Sequence, residues 1–129
     1  SIIHTGQDDL TNLETFDRAA TADLEVITAE NNRIRLEMQA GYTGTNDIKR
    51  SKIVEAINKK NRDGIDTYVV HIDIFNGKAA IIDISNANDS TLHYHKAFEN
   101  TDVLTINPNW FLWRLANPLP ALNDIITTI

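Results

Sequence analysis

Two stretches near the start of the chain alternate between apolar and polar residues, the pattern of strands that bury one face. Apolar side chains occupy every second position in residues 23–28 and again in residues 33–40, and the polar segment 30–32 between them suits a turn. The pattern predicts a hairpin with an apolar face and an opposite polar face. The polar face would gather Asp23, Glu25, Glu37 and Gln39.

A second hairpin is predicted further along the chain. Residues 67–75 and 78–85 are nearly continuous apolar runs, and the Asn-Gly pair between them is typical of a tight hairpin turn. Because both runs are apolar throughout, we expect their two faces to be covered and the strands to lie centrally in a sheet. We interpret His71 and Asp73, which share one face, as polar groups with partners in the core or at its edge.

Helical periodicity is found on either side of the first hairpin. Apolar residues recur every three positions in residues 7–18, which predicts a short helix. A second helix is predicted from a cap at Thr45 or Asn46 to about Asn61. Gly64 then suits the left-handed residue that ends a helix.

The last third of the chain is less regular. Residues 91–99 fit either a helix or a polar strand, and residues 102–106 fit a short strand. Asn107 and Pro108 predict the cap and first position of an aromatic helix over residues 110–116. This helix carries more aromatic residues than one buried face needs, so we expect it to be buried or to form an interface, including one in a homodimer.

The order of these elements predicts an α/β or α+β fold, with a central mixed sheet of about five strands and helices packed against it. A chain of 129 residues is long enough for one hydrophobic core, so we expect a single domain over residues 1–129. Hydrophobic residues at 42% and charged residues at 23% are ordinary for a soluble globular protein. Because the chain starts at Ser1, we expect a trimmed or excised domain.

Composition also bears on compartment and partners. The chain has no cysteine, which leans toward the cytoplasm and leaves no thiolate metal site. It has no apolar run of about eighteen residues and no basic-then-apolar leader, so we expect no membrane partner. The net charge of −6 argues against a broad nucleic-acid surface, but a small cleft that holds a cation must itself be acidic.

Two acids of the predicted hairpin point to a metal site: Asp23, which opens its first strand, and Glu37, which lies on its second. Paired carboxylates supply the hard oxygen ligands that Mg²⁺ or Mn²⁺ prefers. The arrangement resembles the PD-(D/E)XK nuclease superfamily, whose signature is an acid opening one strand and acid-x-Lys on the next. Two positions depart from the signature: Ala22 stands in place of proline and Gln39 in place of lysine, as in the superfamily's acid-x-Gln variant.

The resemblance implies a restriction-endonuclease-like fold and Mg²⁺- or Mn²⁺-dependent hydrolysis of DNA. In that interpretation Asp23 and Glu37 hold the metal, and Gln39 places the attacking water. Half of the chain's 12 basic residues lie in positions 49–62, just after the motif. Lys49, Arg50 or Lys52 would contact phosphate or take over the role of the missing lysine, with Lys49 or Lys52 steadying the phosphate in the reaction. Glu14 is a possible helper acid.

Each of these features also has a structural interpretation. The acids and lysines fit solvated faces of a sheet and a helix, with the lysines favoured by the helix dipole. The alternative function is a non-catalytic interaction domain, or an inactive relative of the nucleases, that binds a protein partner through its acidic face or aromatic helix. His93 and His95 form an H-x-H pair that would suit a transition metal on a strand, although a surface pair is the commoner case.

Overall fold

A mixed β-sheet carries most of the fold. The computed structural model describes residues 2–5, 23–118 and 120–129, and for residues 2–5, 23 and 122 the description covers the backbone. Two helices accompany the strands in this part of the chain. The elements in order are β1 (Ile2–Thr5), β2 (Asp23–Ile27), β3 (Arg33–Gly41), β4 (Asp47–Lys49), α1 (Arg50–Asp63), β5 (Asp66–Asp73), β6 (Lys78–Asp83), β7 (His95–Lys96), β8 (Asp102–Thr105), β9 (Trp113–Arg114), α2 (Leu122–Ile125) and β10 (Ile126–Thr128).

Within the described residues the main sheet has seven strands in the order β1-β2-β3-β5-β6-β10, with β9 paired to β6 as well. Strands β3 and β5 are parallel and are joined by α1, while β2 with β3 and β5 with β6 are antiparallel. A small antiparallel sheet has the order β4-β8-β7. The predicted α+β fold with a mixed sheet is confirmed, and short strands at its margins bring the count above five.

The first hairpin forms as the alternation predicts. Its register pairs Asp23 with Glu37 and Leu24 with Leu36, so the two strands match over five residue pairs. The turn is closed by the N–H of Thr28, which donates to the carbonyl of Asn32 at 2.8 Å. Asn31 takes the left-handed conformation at φ 65°, which asparagine tolerates better than most residues.

Helix α1 begins later than the sequence predicts. Residues 47–49 pair with β8 instead of joining the helix, because Ile48 is fully buried opposite Leu104. Neither Thr45 nor Asn46 therefore caps the helix, whose N-cap is Lys49. The other end matches the prediction: Gly64 has φ 70° and its N–H donates to the carbonyl of Lys60.

The core lies between α1, one face of the main sheet and the small sheet. Buried aliphatic side chains form one cluster there, and burying each large one contributes about 1.5–3 kcal/mol, so the cluster fixes α1 against β3 and β5. As a consequence α1 covers the polar face of β3, and the expected apolar face of β3 is only half-buried in the described residues. The buried cluster consists of Ile48, Ile53, Ala56, Val69, Ala80, Ile82, Ile84, Leu104 and Ile106.

Two predictions for the rest of the chain are wrong, and a third concerns residues that the structure does not describe. The aromatic helix over 110–116 is wrong: only a 3-10 turn forms at Pro108–Trp110, and Trp113 then pairs with Ala79 in β6. Residues 91–99 form neither a helix nor a long strand, since only His95–Lys96 is extended and paired. The prediction for residues 7–18, including Glu14, lies outside the described residues.

The second hairpin is confirmed with slightly shorter strands, and β5 and β6 are both interior to the sheet. Among the described residues, neither helix has the length and apolar character needed to cross a membrane.

Candidate functional site

The hairpin brings the two motif acids into register. Asp23 opens β2 and is the direct partner of Glu37 on β3. Directly paired residues of an antiparallel ladder have Cα atoms about 4.5–5.5 Å apart and share a face of the sheet. The backbone thus meets the first requirement of a two-carboxylate site, namely that two residues remote in sequence become neighbours.

Glu37 lies in a buried ion pair with Arg35. Arg35 Nη2 is 3.4 Å from Glu37 Oε1 and 3.5 Å from Glu55 Oε1 on α1. Arg35 and Glu37 are only 5% and 8% exposed, whereas the Glu55 side chain is 66% exposed. A charge with so little access to water needs an opposite charge nearby, and Arg35 supplies it to Glu37. The same guanidinium also contacts the exposed carboxylate of Glu55.

Gln39 and Lys52 meet at the start of α1. Lys52 Nζ donates to Gln39 Oε1 at 3.4 Å, a long hydrogen bond. The first turns of α1 thus return to the acid-x-Gln strand, as the sequence interpretation of Lys52 requires. Gln39 Nε2 is held on its other side, donating to the backbone carbonyl of Asp47 at 2.9 Å and lying 2.7 Å from His71 Nδ1.

A buried polar chain extends from Gln39 toward the end of the sheet. His71 Nε2 is 2.7 Å from Asn46 Oδ1, and Asn46 Nδ2 donates to Asp73 Oδ2 at 2.9 Å. Asn76 donates to Asp73 through both its backbone and its side-chain nitrogen. His71 and Asp73 therefore have partners within the fold, which confirms their interpretation as satisfied polar groups.

The surroundings shift the pKa values of both groups downward. Burial lowers the pKa of His71, because the charged imidazolium is disfavoured away from water, and this outweighs the attraction of Asp73 and Asp47. Burial by itself would raise the pKa of Asp73, but the hydrogen bonds from Asn76 and Asn46 stabilise the carboxylate and lower its pKa. A neutral histidine next to an ionised carboxylate is the resulting state near neutral pH.

The other basic residues predicted for the site lie apart from Gln39. Arg50 pairs with Asp89 at 2.7 Å and Asp102 at 3.5 Å, and its guanidinium lies 5.2 Å from the centre of the Tyr94 ring. The hydrogen bond to Asp89 raises the pKa of Arg50. Lys49 is exposed at the end of β4. Of the three basic residues, Lys52 is the one brought to Gln39.

The H-x-H pair does not form a metal site with acids around it. His95 is exposed and its Nδ1 is 3.4 Å from Thr105 Oγ1, and His93 is exposed as well. Among the side chains that the structure describes, no three from histidine, cysteine, aspartate and glutamate come together in a metal-binding group.

Three residues in this region were not predicted from the sequence as parts of the site: Arg35, Glu55 and Asn46. Arg35 shares the alternating face with Glu37, so its position was visible, but the contact with Glu55 depends on how α1 packs. Asn46 was interpreted as a helix cap, and it serves instead as the link between His71 and Asp73. No motif in the sequence signals that link, because both partners lie on β5, 25 and 27 residues away from Asn46.

Comparisons with family models, with curated proteins and with solved structures gave no match to this chain.

Proposed function

We propose that this chain is a divalent-metal-dependent phosphodiesterase that acts on DNA, with its site on the polar face of β2 and β3. One observation carries the proposal: the register that pairs Asp23 directly with Glu37. The 3.4 Å contact of Lys52 with Gln39 supports it, since a lysine from α1 reaches the strand position where the acid-x-Lys signature has its own lysine. A restriction-endonuclease-like fold is part of the same proposal.

Asp23 and Glu37 would supply the oxygen ligands for Mg²⁺ or Mn²⁺. When bound, such an ion lowers the pKa of a coordinated water and offsets charge that develops on the phosphate. Gln39 would accept a hydrogen bond from the attacking water through Oε1, because both hydrogens of its Nε2 are directed at Asp47 and His71. Lys52 would steady the phosphate from the α1 side.

Arg35 sets the condition for metal binding. Its guanidinium lies 3.4 Å from Glu37 Oε1, so an ion that binds this oxygen must compete with Arg35 for it. The replacement leaves Arg35 with a carboxylate, because Glu55 lies 3.5 Å from the same nitrogen. Exchange of the singly charged guanidinium for a divalent ion makes the net charge near Glu37 more positive, so the buried carboxylate stays neutralised.

A second candidate, a non-catalytic domain that binds a protein partner, is favoured by a different observation. Glu37 already has its countercharge in Arg35, and two large aromatic side chains are exposed on neighbouring loops at the end of the sheet. Tyr42 is 71% exposed and Phe75 is 69% exposed. The aromatic helix that the sequence offered as the binding or dimer surface is absent, so this exposed pair would take its place.

Metal titration and plasmid cleavage distinguish the two candidates. The phosphodiesterase is expected to bind Mg²⁺ or Mn²⁺ and to cleave, and Asp23→Ala and Glu37→Ala should each abolish both signals. Glu30→Gln is the matched control, because it removes one negative charge from the exposed turn of the same hairpin. Cleavage by the Asp23→Ala/Glu37→Ala double variant at the parent's rate would overturn the phosphodiesterase. A parent that neither binds the ions nor cleaves would favour the interaction domain.

A further inference from the structure

His71 lies at a junction that the proposed mechanism leaves without a role. It is 2% exposed, and both of its ring nitrogens are within 2.7 Å of a polar atom, one on Gln39 and one on Asn46. Its ring also contacts the edge of Phe111, at 5.9 Å between ring centres. A histidine held on three sides has one orientation, and its hydrogen bonds can therefore fix the orientation of its neighbours.

The direction of the hydrogen bonds in the series Gln39–His71–Asn46–Asp73 follows from the contacts of Gln39. The carbonyl of Asp47 can only accept, so the atom of Gln39 that faces it at 2.9 Å must be the amide nitrogen. The same nitrogen faces His71 Nδ1, which must then be the acceptor. His71 is therefore neutral and carries its proton on Nε2.

The contacts of Asp73, at the other end of this series of hydrogen bonds, give the same tautomer independently. Asp73 is an ionised carboxylate that can only accept, so the atom of Asn46 that faces it at 2.9 Å must be the amide nitrogen. The carbonyl oxygen of Asn46 then faces His71 Nε2 and needs a donor there. The two ends thus agree on the Nε2–H tautomer without either one being assumed from the other.

We propose that His71 is a positioning residue for Gln39: as the Nε2–H tautomer it accepts from the Gln39 amide and so keeps Gln39 Oε1 directed at Lys52. The benefit for catalysis rests on the proposed function, because Oε1 is the atom that would meet the attacking water. If the Gln39 amide were reversed, its oxygen would face the Asp47 carbonyl and its nitrogen would face Lys52, placing like groups together at both contacts.

The charged groups that face His71 come from three elements. Asp73 lies on the same strand as His71, Asp47 lies on β4 and Lys52 lies on α1. Lys78 does not face His71 directly; its Nζ lies 4.6 Å from the ring centre of Phe111, which contacts His71. A proton added at His71 Nδ1 would point at the Gln39 amide hydrogens. Positioning of Gln39 is therefore expected to be lost on protonation of this ring.

Two carboxamide variants test the proposal as a matched pair. In His71→Asn the side-chain oxygen can reach the place of Nδ1 and accept from Gln39, whereas in His71→Gln the amide reaches the place of Nε2 and leaves Gln39 without that acceptor. Both variants replace the same imidazole, so general loss of packing affects them alike. His93→Asn, at an exposed histidine, is the control for the substitution itself.

The first measurement is hydrogen exchange of the Gln39 side-chain amide by NMR, which needs neither metal nor activity. The chain has two glutamines, Gln7 and Gln39, so a Gln39→Met sample identifies the signal. Loss of one hydrogen bond worth about 1.4 kcal/mol corresponds to about tenfold faster exchange. We expect this acceleration in His71→Gln, and exchange close to the parent's in His71→Asn.

The second measurement is the cleavage rate, which should be retained in His71→Asn and reduced in His71→Gln by a similar factor. Equal exchange in the two variants, or a proton found on Nδ1 of parent His71 by ¹⁵N NMR, overturns the positioning role. If the parent does not cleave, the phosphodiesterase fails while the exchange data still decide whether His71 positions Gln39. If the parent cleaves and the exchange rates are equal, the positioning role fails alone.

Discussion

Replacing Arg35 with methionine tests the ion pair on which the candidate site depends. Methionine keeps much of the volume and the apolar stem of arginine, so the main change is the loss of the guanidinium. Arg35 Nη2 lies 3.4 Å from Glu37 Oε1, and the two side chains are 6% and 10% exposed. In Arg35→Met, the Glu37 carboxylate keeps its burial without the charge of Arg35.

Removing one partner from a buried ion pair costs about 3–5 kcal/mol, because the remaining charge has lost its compensation in a poorly solvated place. A domain of this size has a total stability of about 5–15 kcal/mol, so Arg35→Met should lose a large fraction of it. Adding Glu37→Gln removes the buried charge that Arg35 compensates in the parent. The double variant should therefore be more stable than Arg35→Met alone, with a coupling energy of about 2–3 kcal/mol between the two positions.

The chain contains its own control pair for this double-mutant cycle. Arg33 Nη1 and Glu25 Oε2 are 3.7 Å apart on the same hairpin, but the Arg33 side chain is 53% exposed. Exposed pairs contribute about 0–1 kcal/mol, and in this pair Glu25 is 13% exposed but Arg33 is open to solvent, so the Arg33→Met and Glu25→Gln cycle should give a smaller coupling than Arg35 and Glu37. Urea unfolding measures both cycles. A coupling for Arg35 and Glu37 no larger than that for Arg33 and Glu25 would refute the assignment of a buried, mutually dependent pair.

Three further outcomes follow from single positions and are checked by denaturant unfolding. Gly41→Ala should destabilise the protein by about 1–3 kcal/mol, since an added Cβ would lie 2.9 Å from Asn46 Oδ1 and 3.0 Å from the Thr45 carbonyl. Gly64→Ala should cost about 1–2 kcal/mol, because φ is +70°, although the new Cβ would meet no side chain or distant backbone atom within 4 Å in the described part of the chain. The lowered pKa of folded His71 means that the unfolded chain binds more protons, so stability should be full above pH ~6.5 and fall below it, and His71→Asn should weaken this dependence.

Local patterns were sufficient for the parts of the fold that are specified by neighbouring residues. Alternation gave the first hairpin and the residues that share its polar face, because a slip of one residue would turn the apolar side chains of one strand to the opposite face. The Asn-Gly pair gave the second hairpin, and Gly64 gave the end of α1. In each case the determining residues lie within a few positions of the feature.

Where the prediction was wrong, a partner distant in sequence decided the structure. Asn107 does accept from the Asn109 N–H and Pro108 does begin a helical turn, as the local signals predict. The turn ends after Trp110 because Trp113 pairs with Ala79, and because the N–H of Leu115 donates to the carbonyl of Gly77 at 3.0 Å. Pairing with an existing sheet edge outweighs helix propensity, which amounts to a few tenths of a kcal/mol per residue.

The candidate site likewise has one feature that neighbouring residues determine and one that packing between distant residues determines. The meeting of Asp23 with Glu37 follows from alternation and a short turn, and was predictable. The burial of Glu37 was not, because it depends on α1 lying over the polar face of β3. Helix α1 is held there by Ile53 and Ala56, which belong to the same buried cluster as Val69 and Ile82. The sequence places Arg35 on the right face, but only the packed helix makes that arginine a buried partner.

The competition at Glu37 links the fold to the proposed chemistry. A buried carboxylate requires a cation, and the strand provides one in Arg35 at the position two residues earlier on the same face. Because Glu55 lies 3.5 Å from the same guanidinium and is itself exposed, moving Arg35 from Glu37 to Glu55 trades a buried ion pair for a more exposed one. The exchange costs free energy unless another cation arrives at Glu37. If the proposed ion binds at this hairpin, its affinity depends on competition with Arg35 for the Glu37 carboxylate as well as on the pairing of Asp23 and Glu37.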